Sequence, residues 1–520
     1  MRAPMSESMR RAVNATVATV TGLAVVLITA GITLAGMIFP PPGPATVPAP
    51  AVEIGAGQLT LVCPDAPRLA TDEMDGDIDY DEQFGTNAEQ GGTSVQGVVT
   101  GRDGAAPGGV LFGPAGQEAA GVPAAGGDSA VINVQDMTEA SILTAQPQEQ
   151  ATPLGVITAL SRTDTGDLRG LTGAACRAPS SAQWLVGGTT VPGSSARLIL
   201  TNPGQTPVTV TVAAWGETGP VESGTEVLLA PGESGSVLLE TLSAQERVAV
   251  RVTSEGGQVA AAIQDSSLSG VVPAGTDMVT TTADPATTTT IGPMEISPEE
   301  ADGEPPVLRL VNPAAREATI SVDVLSAEGR QGLAGAEGQV LEPGTVTDVS
   351  LSGVGPGPLT VEVTSDEPIT GAIQRTLVGQ ASELDPGQPV ADRSWLAAQQ
   401  PVQRGVLGLP GDLVDNVAVV LSNPDEAAAQ VQVTPVAADG ERSQAVTVDL
   451  EAGTSALLEE LVDDGQVGGA DVIALEIAGT GVLAAAMLQS NADDGPLLAM
   501  VGMTPDAQAI AEVPVRLGPW

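Results

Sequence analysis

Asp75, Asp77, Asp79 and Asp81 stand at alternate positions, flanked by Asp72, Glu73 and Glu82, and form the densest donor cluster in the chain. Hard oxygen ligands this close together could hold calcium. An EF-hand loop needs glycine at its sixth place, however, and counted from Asp75 that place is Tyr80. The cluster therefore reads as a solvated acidic loop, and no metal is assigned to it. Cys63 and Cys176 are the only cysteines. Zinc binding or thiol catalysis would need a histidine nearby, and the chain has none. Two thiols bracketing one region of an exported chain predict a disulfide. All 19 basic residues are arginine, so lysine Schiff bases, Ser-Lys pairs and the P-loop lysine are also excluded. What survives is carboxylate chemistry, such as a glycosidase pair, and no such constellation is recognisable. No catalytic residue and no cofactor is expected, and the chain reads as a non-enzyme.

Composition narrows the partners. Sixty-four acids against 19 bases give a formal charge of −45. Such a field repels nucleic acid, whose binding depends on clustered Lys and Arg. Four Trp, one Tyr and three Phe are too few for stacking platforms that read sugars or bases.

The elements that must position any site come from a repeat. Asn202-Pro203, Asn312-Pro313 and Asn423-Pro424 stand 110 and 111 residues apart. Leu198 and Leu200, Leu308 and Leu310, and Val419 and Leu421 precede them at alternate positions. After the turn come Val208, Val210 and Val212, then Ala318, Ile320 and Val322, then Ala429, Val431 and Val433. Period two with β-branched residues on one face predicts antiparallel strands. Proline fixes its own φ and pushes the preceding Asn out of the helical region, so each Asn-Pro is a turn. A ligand-contacting role for the three asparagines is the sharper alternative.

Each repeat continues with Gly219, Gly329 or Gly440, all 17 residues after their Asn, and then with a second turn at Pro231-Gly232, Pro343-Gly344 or Ala452-Gly453. Two strands close each unit, such as Leu359 to Val363 and Ile369 to Ile373. About seven short strands in about 100 residues predict immunoglobulin-like β-sandwiches in tandem. A β-propeller is the rival, set aside because one blade normally takes about 40–45 residues. A degenerate fourth unit, closed by the disulfide, precedes the three repeats. The expected boundaries are 59–180 for it and 181–275, 276–390 and 391–520 for the repeats. Trp184 and Trp395 are placed at strand entries of the first and third repeats, with Met278 equivalent to them, all as packing residues. Thr280 to Glu304 and Gly379 to Asp392 read as linkers or edge loops.

The N-terminal segment 1–11 carries Arg2, Arg10 and Arg11, and residues 12–39 run without a charge. That exceeds the ~20 residues a membrane-crossing helix needs, with the N-terminus cytoplasmic by the positive-inside bias. A cleaved signal peptide, with its shorter apolar core, is the alternative. Prolines crowd 40–58, which predicts an extended stalk.

Leu61-Val-Cys63-Pro64, Gly166-Asp-Leu-Arg-Gly-Leu-Thr-Gly-Ala-Ala-Cys176, Trp184-Leu-Val-Gly-Gly188, Ser195-Ala-Arg-Leu-Ile-Leu-Thr-Asn-Pro203 and Ala-Trp215-Gly216 carry a wider likeness. The chain resembles the actinobacterial exported proteins of unknown function that have one N-terminal membrane span. Met278 departs from the tryptophan expected at its place. The resemblance implies an envelope protein, often encoded near cell-wall glycosyltransferases, and supplies no catalytic residues. The expected function is a membrane-anchored extracytoplasmic scaffold or binding protein whose partners are envelope proteins or wall polymer. The alternatives are an accessory subunit of a membrane glycosyltransferase and a carboxylate-dependent wall polysaccharide hydrolase.

Overall fold

After each Asn-Pro turn the alternation becomes a strand with one face inward. Val208, Val210 and Val212 are buried while Thr209 and Thr211 are exposed, and Ala318–Ser326 and Ala429–Ala437 follow suit. The structure, a computed structural model, describes residues 7–38, 51–53, 56–69, 90–102, 108–113, 118–122, 129–147, 151–298, 304–461, 472–507 and 512–514. Asp75, Asp77, Asp79, Asp81 and Trp520 lie outside the described residues, as does most of the stalk.

The chain divides into two compact units, Met1–Glu53 with Glu512–Trp520, and Ile54–Ala511. The smaller holds a helix, Glu7–Ile38, and a strand pair, Ala51–Glu53 with Glu512–Pro514. Among the described residues no helix is long and apolar enough to cross a membrane.

The larger unit is all-β and contains four modules with one strand order. In the second module the eight main strands are Ala182–Val186, Ser194–Thr201, Val208–Gly216, Thr225–Leu229, Ser234–Leu238, Ala249–Glu255, Ala260–Ser269 and Val272–Val279, with a two-residue strand, Gly219–Pro220, beside the third. One sheet runs first, sixth, third, fourth; the other runs fifth, second, seventh, eighth. Both sheets contribute to one apolar core. The third and fourth modules repeat this order, with sixth and seventh strands fused into single long ones, Gly357–Ala381 and Val472–Ala492, that pass from one sheet to the other. A strand that switches sheets makes a corner of the sandwich. The degenerate first module has the same order from Leu59–Cys63 to Gly170–Ala175, so it is a full member of the set.

The eighth strands are the inner ones, labelled β1 (Gly170–Ala175), β2 (Val272–Val279), β3 (Pro389–Gln399) and β4 (Gly495–Gly502). Each touches the next, and β4 returns to β1. The modules thus form a closed, propeller-like ring of small sheets rather than a string. Period length misleads here because the blade-like sheet is only half of each repeat; the second sheet takes the other half. Each unit has two antiparallel sheets, but the two strands expected to close a unit are its sixth and seventh, which fall in different sheets, and an eighth strand follows them. Thr280 to Glu304 is not a linker, for it contains the strand Ala286–Ile296, whose Thr-rich start suits a pleated surface. Gly379 to Asp392 likewise includes strand ends on both sides of a short turn. Trp395 falls in β3, the last strand of the third module, so it matches Met278 in β2 but not Trp184, which lies in a first strand.

Packing between modules is continuous. Val311, Val346 and Ala372 join the second module's core, and Leu498 and Met500 join the third's. Leu160 and Leu171 of the first module join the core of the fourth, which closes the circle. Asp65 of the first module forms a buried bidentate pair with Arg197 of the second, at 3.0 and 3.1 Å. Gly173 lies so close to β4 that an added Cβ would come within 2.9 Å of Ala499 Cβ. Only a residue without a side chain fits there.

Candidate functional site at the ring centre

An inner strand is the edge of its own sheet, and its outward N–H groups need acceptors once water is excluded. Carboxylates supply them. Asp392 Oδ2 accepts the backbone N–H of Leu171 (3.1 Å) and Leu498 (2.8 Å), and Oδ1 that of its neighbour Arg393. One side chain on β3 therefore ties β1 and β4 to it. Asp277 on β2 reaches across to β3, where its Oδ2 accepts from Ser394 Oγ (2.9 Å) and from Trp395 N (2.6 Å). Ser394 Oγ in turn accepts Met500 N. Asp265, cross-strand from Asp277, accepts the Trp395 indole N–H at 2.8 Å. Arg309 stacks over that indole at 4.9 Å. Fully buried Arg169 meets Asp494 and the Ala391 carbonyl.

Asp265, Asp277 and Asp392 are all 0% exposed. Burial pushes the Asp392 carboxyl up to about 7, against the opposing pull of the Leu498 and Leu171 amides and of Arg169. Burial also lifts Asp277 well above the ordinary range, opposed by its hydrogen bonds and reinforced by the negative charge of Asp392. Asp277 and Asp392 can store protons and bind backbone. Sealed from solvent, they do not flank a cleft as a glycosidase pair must.

The three asparagines occupy equivalent buried positions. Asn312 Nδ2 donates to the carbonyls of Arg316, Leu341 and Glu342, and its Oδ1 accepts Ala314 N. Asn202 and Asn423 make the same four bonds with their own turns. Each amide pins the turn after the second strand to the turn after the fourth, and all three are 0% exposed. The adjoining Pro203, Pro313 and Pro424 complete those turns. Asn312→Asp should cost about 3 kcal/mol or more, because a carboxylate would face three carbonyl oxygens with no donor between them. Urea unfolding should show this, and a loss under about 1 kcal/mol would contradict the bridging role.

Cys63 and Cys176 form the disulfide, 113 residues apart. It clips the first strand of the first module to the exit of β1. Among the described residues no group of three or more acidic, Cys or His side chains is placed to hold a metal ion. Trp184 packs on Trp215, ring centroids 4.7 Å apart, with Arg251 above it. The central acids were missed by sequence reasoning, although acids inside apolar strands, as in Gly-Thr-Asp277-Met and Ala-Asp392-Arg-Ser-Trp, were the available signal.

Four two-sheet modules locked around buried carboxylates define an all-β, propeller-like ring protein. The chain belongs to a family of unknown function (DUF5719), which matches residues 131–460. No curated protein matches the chain.

Proposed function

We propose that this protein is a non-enzymatic, membrane-anchored scaffold or binding protein of the cell envelope, of actinobacterial type, with its ring outside the cytoplasmic membrane. The observation that carries this reading is the helix. Every described side chain from residue 15 to 30 is exposed, and Val17, Val20, Leu23, Val25, Val26, Leu27 and Ile28 stand out among them. The described side chains, 15–30, are too few to span a bilayer by themselves, and it is the charge-free sequence running on from 12 to 39 that suits lipid. Its threonines Thr19, Thr21 and Thr29 spend their hydroxyls on carbonyls one turn back, as a lipid-facing hydroxyl must. The disulfide suits an oxidising compartment. In this reading the modules act as immunoglobulin-like units do, through loops and free sheet edges.

The test is protease treatment of intact spheroplasts, followed by carboxylate-directed crosslinking and mild-detergent purification, since the chain offers no lysine. The ring should be digested from outside, and several envelope proteins or wall fragments should co-purify. Protection of the ring until lysis would overturn the topology. Recovery of one stoichiometric membrane glycosyltransferase would replace the scaffold reading with that of an accessory subunit.

A further inference from the structure

We propose that Arg177 and the small cavity it lines form a binding site for a monovalent anion of chloride size. The inference is independent of the envelope reading. Several other buried or half-buried guanidinium groups meet carboxylates, as in Arg102 with Asp506, Arg169 with Asp494, Arg197 with Asp65 and Arg309 with Asp348. Arg177 meets none among the described residues. Its Nη1 donates to the Met503 carbonyl at 3.2 Å, and its Nε is sealed from water without a partner. Asp65, next in the chain to the cavity-lining Pro64, is already engaged by Arg197 and Arg68. Burial lowers the Arg177 pKa to about 10, which leaves the group charged at neutral pH. Arg177 as a whole is half-buried, but with its Nε shut off from water and unpaired its cationic head gains from an opposite charge beside it.

The cavity supplies the place. It measures about 20 Å³, room for one water-sized guest. Val62, Ile199 and Ala261 make its walls apolar, and Thr201 and Thr280 bring hydroxyls. The Thr201 hydroxyl is engaged with Ser234, whereas that of Thr280 has no partner among the described residues. An anion here would accept from the guanidinium and from Thr280, with its remaining surface against hydrocarbon. Sulfate and phosphate are too large for the space. Val62 belongs to the first module, Ile199 lies in a strand of the second and Thr280 just after another, and Met503 follows the last inner strand of the fourth. The bound ion would therefore strengthen the seam where the ring closes.

The test is thermal unfolding of the full chain in detergent, with sodium chloride exchanged for sodium gluconate at fixed ionic strength. The wild-type midpoint should rise by a few degrees with chloride and saturate. Arg177→Met should lose that response and, in gluconate, should be at least as stable as wild type because the uncompensated charge is gone. Equal chloride responses in both proteins, or none in wild type, would overturn the site. So would an Arg177→Met variant less stable by the same amount in both salts, which marks a purely structural hydrogen bond. Bromide-soaked wild-type crystals give a second readout that needs no variant. An anomalous peak within hydrogen-bond distance of Arg177 is expected, and an empty cavity contradicts the proposal.

Discussion

Replacing Cys63 and Cys176 together by alanine should lower the unfolding free energy by about 4–5 kcal/mol in the chain-entropy account of a cross-link closing ~100 residues. The bridge closes a loop that holds nearly all of the first module. That module needs the help more than the others do. Its turn between the second and third strands has no Asn-Pro bridge, and its Gly109–Phe112 strand is only four residues long. Both half-cystines are buried, at 0% and 1% exposure, so alanine also leaves a small void that adds to the loss. Urea unfolding of the oxidised protein and the double variant should show a lower midpoint. A change below about 1 kcal/mol would mean that the first module is held by its neighbours alone.

Acidification from pH 8 to pH 5 should stabilise the ring, the reverse of what surface ion pairs would give. Asp392 is raised to about 7 in the folded state from an ordinary 3.8. Between those values the folded protein binds more protons than the unfolded chain, so stability falls as pH rises. The contribution is fully present below about pH 4 and is lost as pH climbs through 7, on the order of 4 kcal/mol for this group. Asp277 has the same sign. Easing of the −45 charge adds in the same direction. Asp392→Asn keeps an acceptor for Leu171 and Leu498 while removing the titration, so it should flatten the pH profile and match or exceed wild type at pH 8. Asp392→Ala should instead be destabilised at every pH, since it orphans two buried N–H groups at about 1–3 kcal/mol each. Midpoints measured at pH 5, 7 and 8 decide the matter. A wild-type midpoint highest at pH 8 would contradict the central acid account.

How much of this was legible depended on the range of the interaction. The strand pairs around Asn202, Asn312 and Asn423 were readable because period-two burial and Asn-Pro turns are local. A further unit ahead of the three repeats was also part of the sequence reading. Ring closure was not readable. It depends on β1 meeting β4 across more than 300 positions of chain, and no local pattern encodes that. The linker reading of Thr280 to Glu304 failed because threonine serves loops and strands alike, and the tertiary partner decides. Asp277 and Asp392 were passed over because an acid is ordinarily solvated, and only the assembled ring withdraws these two from water. Asp75, Asp77, Asp79 and Asp81 stay outside the described residues, so their reading as a solvated loop rests on Tyr80 alone.

Closure of four modules into one body is the claim on which the rest depends, and small-angle X-ray scattering on the Ile54–Ala511 unit measures it directly. A compact chain of this length should give a radius of gyration of about 23 Å. Four separate domains laid end to end, each with a radius near 13 Å, would give about 40 Å. The smaller value is expected, and the larger one would return the molecule to a string of independent sandwiches.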